Sequence, residues 1–112
     1  MTLTNAITTA ILNYLNYSGH LAWRENNNAV YDPTRKVFRR SKSFTPLGIG
    51  DICFIEHGTG IHCEIEIKTG KDRQRINQKK REFAVNFHGG KYFLVYDIEH
   101  FQEIAKREGW TK

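Results

Sequence analysis

Residues 63–70 read CEIEIKTG and place charged side chains at alternate positions, Glu64, Glu66 and Lys68. Because successive side chains of a β-strand point to opposite faces, a strand here carries three charges on one face and isoleucines on the other. Acid–x–lysine on a strand is most often a ladder of solvated ion pairs. The alternative is a site that performs chemistry, and the preceding strand bears on the choice.

The preceding segment, DICFIE, also reads as a strand, and a tight turn centred on Gly58-Thr59 makes the two a hairpin. This turn predicts that Asp51 lies opposite Glu66, with the two Cβ atoms about 4.5–5.5 Å apart on one face. A register shifted by one residue would instead set Asp51 opposite Ile65. The sequence leaves both registers open, and the first groups polar residues together.

Two facing carboxylates repel each other unless a cation lies between them. Mg²⁺ and Mn²⁺ suit such a site because they prefer carboxylate and water oxygens. Coordination to a metal lowers the pKa of a bound water and makes it a nucleophile. Lys68 would supply positive charge where negative charge develops, or would orient or deprotonate a water. These are the groups that hydrolysis of a phosphodiester requires.

The composition is that of one folded domain. The chain has 112 residues, of which 39% are hydrophobic and 12% aromatic, and such values indicate a single globular domain over residues 1–112. No apolar run approaches the roughly 20 residues that span a bilayer, so we expect no membrane partner. The N-terminus lacks a basic leader with an apolar stretch, and a cytoplasmic location is the default expectation.

Net charge and cysteine spacing bear on which partners and which metal sites the protein could have. The formal net charge is +5, which favours a polyanionic partner without establishing one. Cys53 and Cys63 match no zinc-ligand spacing. We expect both to be reduced, buried thiols.

Hydrophobic periodicity predicts helices interleaved with strands, and hence a small mixed sheet flanked by helices. An N-terminal helix carries Ile7, Ile11 and Leu15 in one stripe and ends near Gly19. The predicted strands are 21–24, 51–56, 61–68 and 91–97, with a small hairpin of 29–31 and 37–40. Two further helices are predicted over 74–87 and 99–107, the former with Ile76, Phe83, Ala84 and Phe87 on one face.

The order of these motifs resembles the VRR-NUC (virus-type replication-repair nuclease) domain of the PD-(D/E)XK superfamily. GIGDI is followed by IEIKTG, and Gln78 follows Lys68 at the start of the next helix. WRENNNAVYD and the closing KYFLVYD are also similar to segments of that family. The resemblance implies an αβββαβ restriction-endonuclease-like core. Gly50 stands where the superfamily has a proline, and only the shape of the turn depends on that position.

The resemblance assigns roles to residues that match the motifs. It implies that Asp51, Glu66 and the Ile67 main-chain carbonyl bind Mg²⁺ or Mn²⁺, that Lys68 is the catalytic lysine, and that Gln78 reaches back toward the site. Glu64 is expected to support the site, with a plain ion pair as the alternative. The first helix often carries a metal-facing acid in this family, and none is present here.

The activity that the resemblance implies is divalent-metal-dependent endonuclease cleavage of DNA. Small viral and phage-like members of the family look like homodimers that cut branched DNA such as Holliday junctions. Two alternatives remain from the residues. One is a DNA-binding module of the same fold with little or no turnover, because of the missing acid. The other is a nuclease acting on plain duplex or single-stranded ends.

A basic segment begins at the expected catalytic lysine and would contact DNA phosphates, or would form a solvated helix face. Its members are Lys68, Lys71, Arg73, Arg75, Lys79, Lys80 and Arg81. A second basic group lies on the expected small hairpin and includes Arg39 and Arg40. This second group would contact another arm of the DNA or form a solvated loop, and the sequence does not favour either interpretation. Arg24 is a further candidate for contact with phosphate.

Overall fold

The computed structural model describes residues 2–25, 30–32, 34, 37–39 and 47–111. Within these residues the chain forms helices and strands in the interleaved order that hydrophobic periodicity predicts. The helices are α1 (Leu3–Tyr17), α2 (Ile76–Phe87) and α3 (Ile98–Glu108). The strands are β1 (Leu21–Arg24), β2 (Val30–Asp32), β3 (Val37–Arg39), β4 (Ile52–Ile55), β5 (His62–Ile67) and β6 (Lys91–Val95).

The main sheet is mixed and has the strand order β1-β4-β5-β6. β1 pairs with β4 and β4 with β5 in antiparallel fashion, whereas β6 runs parallel to β5. The parallel pair follows from the chain path, since α2 crosses over between β5 and β6. The prediction of a small α/β domain with a mixed sheet flanked by helices is confirmed.

The expected small hairpin is present as β2 and β3, an antiparallel pair separate from the main sheet. The structure gives its strands as Val30–Asp32 and Val37–Arg39, against the predicted 29–31 and 37–40, and β2 extends one residue past its predicted end. Arg40 lies outside the described residues.

One face of the main sheet carries the hydrophobic core. Ile65 and Ile67 of β5 point into it, as the alternation in CEIEIK predicts. The core also contains residues from the two helices on this side of the sheet and an indole near the C-terminus, namely Ile7, Ile11, Leu15, Phe101, Ile104 and Trp110. The predicted apolar stripe of α1 is therefore confirmed.

The opposite face of the sheet is polar at its centre and is partly covered by α2. The helix turns Gln78 and Arg81 toward the sheet and buries Val85. The side chains of Ile76, Phe83 and Phe87 share a face, but that face points to solvent. The spacing of these residues predicts one shared face without saying what it contacts, and the structure leaves that face in solvent because the charged residues of β5 require polar partners from the helix.

The described helices include none that is long and apolar enough to cross a membrane.

Candidate active site

The pairing of β4 with β5 brings the expected acidic residues together. Ile52 lies opposite Ile65 and Cys53 opposite Glu64, so the register that groups polar residues is confirmed. Asp51 stands one residue before β4, and its Oδ2 accepts a hydrogen bond from the Ile67 N–H over 2.7 Å. The hairpin therefore holds the Asp51 carboxylate at the end of β5.

Glu66 lies at the centre of this cluster and is buried together with Lys68. Its Oε1 accepts a hydrogen bond from Gln78 Nε2 over 2.7 Å and lies 3.6 Å from Lys68 Nζ. The carboxylate is therefore in contact with an amine from its own strand and an amide from α2. The first turn of α2 therefore covers the cluster on the side of the sheet that faces this helix.

The ionisation of Glu66 is disfavoured in this setting. Burial is the largest cause and the negative charge of Asp51 the second, and together they raise the pKa of Glu66 from 4.5 to about 7, although Lys68 opposes them. A carboxyl with such a pKa is readily stabilised by a proton or by an added cation. The cluster thus has more negative charge than Lys68 alone compensates.

Two glycines allow the loop before Asp51 to fit between α2 and β5. Gly48 has a φ of +81°, and a Cβ placed there would stand 2.3 Å from the Asn77 carbonyl oxygen. A Cβ at Gly50 would stand 2.8 Å from the Ile65 carbonyl oxygen. This close approach places Asp51 against β5, and a larger side chain would push the loop away.

Glu64 has a different environment from Glu66. Its Oε2 lies 2.6 Å from Arg81 Nη2 and 2.6 Å from His62 Nε2, and its Oε1 accepts from the Gly50 N–H over 3.0 Å. Complete burial would raise the pKa of Glu64, but the hydrogen bonds from Arg81, His62 and Gly50 hold it below its usual value.

The ion pair that was the alternative for Glu64 is therefore present, and it joins α2 to β5 beside the Asp51–Glu66 cluster. This contact also corrects the expectation that Arg81 belongs to the basic residues that are available to phosphate. The guanidinium of Arg81 is directed to Glu64 because a fully buried carboxylate requires a paired charge.

A group that the sequence pattern did not reveal lies at the same strand pairing. Cys53 Sγ, a His62 ring nitrogen and a Glu64 oxygen lie within 4.8 Å of one another and could hold a metal ion. Arg81 already pairs with Glu64, and burial raises the pKa of the Cys53 thiol to about 12. His62 lies two residues before Glu64 on β5, and the predicted register of the hairpin sets Cys53 opposite Glu64, so the grouping follows from that register although the cysteine spacing gave no zinc pattern. Both cysteines are free and buried, as expected.

The residues that were expected to contact phosphate differ in their surroundings. Lys71, Arg73, Arg75 and Lys79 are exposed on the loop that follows β5 and on the first turn of α2, which also carries Gln78. Arg24 Nη2 instead donates to Asn5 Oδ1 of α1 over 2.7 Å, although Arg24 remains exposed. Arg39 belongs to β3.

The start of α1 contacts the end of β5 through the hydroxyls of Thr4 and Thr69, whose oxygens are 2.9 Å apart. α1 contains no acidic residue, so at this contact it offers hydroxyl groups and no carboxylate. The two carboxylates of the cluster thus come from β5 and from the loop that leads into β4.

No family model, no curated protein and no solved structure matches this chain. The likeness to the VRR-NUC domain rests on the motif residues alone. What the fold and the cluster define is a small α/β domain with two adjoining carboxylates, a lysine and a glutamine at one end of its main sheet.

Proposed function

We propose that the protein is a divalent-metal-dependent DNA endonuclease whose catalytic residues are Asp51, Glu66, Lys68 and Gln78. The observation that carries this proposal is the buried Glu66 carboxylate, held between Lys68 Nζ and Gln78 Nε2. The Asp51 carboxylate, which precedes β4, is hydrogen-bonded to the end of β5, the strand that carries Glu66. The order of elements supports it as well, since without β2 and β3 the chain runs αβββαβ before α3.

A ladder of solvated ion pairs explains this arrangement poorly. In such a ladder the charges are exposed and their pKa values stay near normal. Here Glu66 and Lys68 are buried, and burial with the Asp51 charge raises the pKa of Glu66 to about 7. Perturbed acids beside a lysine are a feature of functional sites.

The donor atoms fit a hard divalent cation. Asp51 and Glu66 provide carboxylate oxygens and Ile67 a main-chain carbonyl, which are the ligand types that Mg²⁺ and Mn²⁺ prefer. A bound ion would supply Lewis acidity and a water of lowered pKa. Lys68 would stabilise negative charge on the phosphate, and Gln78 would orient Glu66. Asp51 is itself oriented by the Ile67 N–H.

Exposed cations beside the cluster suit a DNA backbone. Lys71, Arg73, Arg75 and Lys79 extend from the end of β5 along the first turn of α2. Binding through such residues releases counterions, so affinity should fall steeply with added salt. The net charge of +5 is in keeping with a polyanionic substrate.

Branched DNA such as a Holliday junction is the substrate that we favour, cut by a homodimer with one site on each copy. A two-fold assembly would present two equivalent sites to two strands of a two-fold junction. The competing functions are a DNA-binding module of the same fold without turnover and a nuclease for plain duplex or single-stranded ends. The missing acid in α1 motivates the former.

The test is a cleavage assay on a four-way junction, a plain duplex and a single strand, each with EDTA, Mg²⁺ or Mn²⁺. We expect cutting only with metal and preferentially at the junction. Binding of all substrates without cutting in either metal would establish the non-catalytic module. Equal cutting of duplex and junction would reject the structural preference.

Two lysine substitutions connect the activity to the site. Lys68→Ala should abolish cutting while circular dichroism and thermal unfolding show a folded protein. The matched control is Lys71→Ala, which removes an exposed lysine and should weaken binding without abolishing cutting. Cutting at the parent rate by the Lys68 variant would refute the assignment.

A further inference from the structure

Three side chains that can bind a transition metal meet on the polar face of the main sheet, beside the Asp51–Glu66 cluster. Cys53 lies opposite Glu64 in the pairing of β4 with β5, and His62 lies two residues before Glu64 on the same strand face. The Cys53 sulfur, a His62 ring nitrogen and a Glu64 carboxylate oxygen all lie within 4.8 Å of one another. The hairpin therefore presents a thiol, an imidazole and a carboxylate to one point.

The spacing of these three atoms is close to what a tetrahedral Zn²⁺ site requires. Atoms no more than 4.8 Å apart share a central point that is at most about 2.8 Å from each of them. Zinc lies about 2.3 Å from cysteine sulfur and about 2.0–2.2 Å from histidine nitrogen or carboxylate oxygen. Side-chain rotations that move each atom by less than about 1 Å therefore complete the geometry.

The ligand types favour a different ion from the one proposed for Asp51 and Glu66. Thiolate and imidazole suit Zn²⁺, whereas Mg²⁺ and Mn²⁺ prefer oxygen ligands. Negative charge beside the thiol also favours a cation, because Cys53 donates a hydrogen bond to the carboxylate of Glu25. The Trp23 indole N–H in turn donates to Glu25 over 3.0 Å and holds that carboxylate in place.

The group is reached through a cavity beside the start of β5. The cavity has a volume of about 220 Å³, and its wall consists of His62, Arg81, Ala84, Val85, His88 and Gly90. Cys53 and Glu64 are almost fully buried, whereas the His62 side chain is 44% exposed. His62 therefore connects the two buried ligands to a space from which a hydrated ion can enter.

Glu64 already has a counter-charge in Arg81, and this contact determines what metal binding would change. Arg81 Nη2 and His62 Nε2 each lie 2.6 Å from Glu64 Oε2. A cation bound by Glu64 and His62 takes the place of these donor hydrogens, so the guanidinium and the metal compete for one carboxylate. The Arg81 side chain is 23% exposed and lines the cavity, which gives it room to move away.

We propose that Cys53, His62 and Glu64 form a Zn²⁺ site in which the ion replaces Arg81 as the counter-charge of Glu64. On binding, the Cys53 thiol releases its proton to solvent and the sulfur binds as a thiolate. A water from the cavity completes the four-coordinate shell. The buried carboxylate then has two alternative partners, the guanidinium of α2 and the metal.

Exchange of these partners should affect α2 as a whole. The Arg81–Glu64 pair holds the middle of α2 against β5, and Gln78 holds its first turn against Glu66. Release of Arg81 loosens the helix, so we expect Zn²⁺ to weaken the contact of Gln78 with Glu66 and to lower Mg²⁺-dependent cutting. This consequence rests on the proposed nuclease function, whereas the Zn²⁺ site itself does not.

The first experiment titrates Co²⁺ into the reduced protein and follows the absorption band of a cobalt–thiolate bond. We expect one Co²⁺ per chain with this band, and loss of the band when Zn²⁺ displaces Co²⁺. Cys53→Ala should abolish the band. The matched control is Cys63→Ala, because Cys63 is also a buried free cysteine but lies in the hydrophobic core on the other face of the sheet. Circular dichroism checks that both variants are folded.

The second experiment measures Zn²⁺ affinity by competition with a chromophoric chelator. His62→Ala removes a half-exposed ligand and should weaken binding by more than the roughly 10–100-fold that loss of an outer partner costs. His57→Ala, at the exposed hairpin turn, is the control and should change nothing. Glu66→Gln should keep the Zn²⁺ affinity and the cobalt–thiolate band, which separates this site from the Asp51–Glu66 cluster.

The third experiment tests the competition with Arg81. Arg81→Met leaves the buried Glu64 without a counter-charge, so Zn²⁺ should bind this variant about tenfold more tightly than the parent. Zn²⁺ should also raise the melting temperature of Arg81→Met by more than that of the parent, since the ion binds only the folded state. Lys80→Met, at the neighbouring exposed position, should behave as the parent.

Three outcomes would overturn the inference. The first is a parent protein without a cobalt–thiolate band, and the second is a band that Cys53→Ala keeps or Cys63→Ala loses. Equal Zn²⁺ affinities for the parent and Arg81→Met would show that the metal does not replace the guanidinium. In cutting assays Zn²⁺ should inhibit the parent but not Cys53→Ala, and a protein that never cuts would refute the nuclease while the cobalt band still decides the site.

Discussion

Gln78 joins the first turn of α2 to the buried carboxylate of Glu66. Its Nε2 donates to Glu66 Oε1 over 2.7 Å, and its Oε1 accepts from the Arg75 N–H over 2.8 Å. Because both ends of the amide have partners, its orientation is determined, and a carboxylate cannot replace it. One residue therefore caps the helix and orients the central acid of the proposed site.

Removing that amide should destabilise the protein. Gln78→Ala leaves a buried acceptor on Glu66 without its donor, and we expect a loss of about 1–3 kcal/mol in the free energy of unfolding. Gln78→Glu should lose more above neutral pH because two carboxylates then meet. Urea unfolding measures both. Gln102→Ala, at an exposed position of α3, is the control and should change little; equal losses at the two positions would contradict the assigned role.

The loss of stability on removing Arg81 should depend strongly on whether Glu64 is still charged. Arg81→Met leaves a fully buried carboxylate without its counter-charge, and breaking such a pair lowers the free energy of unfolding by about 3–5 kcal/mol. Glu64→Gln should recover much of this loss in the Arg81→Met background, because the remaining charge is gone. A double-mutant cycle by urea unfolding measures the coupling.

The control for this cycle is Arg107→Met on α3, where the side chain is 66% exposed and its nearest ion pair is long. It should change the free energy of unfolding by less than about 0.5 kcal/mol. Strict additivity of the Glu64 and Arg81 changes would show that the buried contact is not formed in solution.

Gly48 should tolerate a methyl group far less well than Gly58. Both have a positive φ, +81° and +84°, so alanine strains the backbone at either position by about 1–2 kcal/mol. At Gly48 the added Cβ also meets the Asn77 carbonyl oxygen at 2.3 Å, whereas at Gly58 nothing lies within 4 Å. Thermal unfolding should therefore show a clearly larger decrease for Gly48→Ala.

Comparing the Gly48 and Gly58 variants also tests whether the loop before Asp51 positions its carboxylate. Gly48→Ala should also lower metal-dependent cutting, because the displaced loop leads into Asp51. Gly58→Ala, at the far end of the hairpin, should leave cutting unchanged. Similar melting temperatures for the two variants would mean that the close contact with α2 is absent in solution.

Glu66 should make the fold less stable as pH rises. Its pKa is raised from 4.5 to about 7, by burial first and by Asp51 second. The protonated form is favoured in the folded state, so its contribution is complete below pH 4.5 and is lost as the pH rises to about 7. In EDTA above that pH, Glu66→Gln should exceed the parent in stability by roughly 1–3 kcal/mol.

Urea unfolding of the two proteins across this range measures the effect, and the difference should vanish toward pH 4.5. Adding Mg²⁺ should stabilise the parent but not Glu66→Gln, since an ion that binds only the folded state raises its stability. A difference that is independent of pH would place the ordinary pKa on Glu66 in the folded protein.

Local patterns in the sequence determined the elements and limited the hairpin to two registers, one of which groups the acids. Alternation in CEIEIK predicts a strand with two faces, and the turn at Gly58-Thr59 predicts the register that β4 and β5 adopt. These features depend on backbone geometry over a few residues. Because side chains alternate along a strand, a short hairpin has few possible registers, and in one of the two that the sequence allows Asp51 lies opposite Glu66. The structure decided between the two.

Tertiary structure decided which partner each charge has. Glu64 and Glu66 have the same spacing and side chain, yet Arg81 holds the pKa of Glu64 low while burial and Asp51 raise that of Glu66. This difference depends on how α2 crosses β5 and on where the loop carrying Asp51 comes to rest. Such contacts are long-range in sequence, and no local pattern contains them.

The rotation of α2 about its axis was likewise decided by tertiary contacts. Its apolar residues have helical spacing, which indicates one apolar face but not what that face contacts. The sheet beneath it presents buried carboxylates, and satisfying them turns Gln78 and Arg81 inward and Phe83 and Phe87 outward. An unsatisfied buried charge costs more than an exposed phenyl ring, and this inequality decided the direction of the helix.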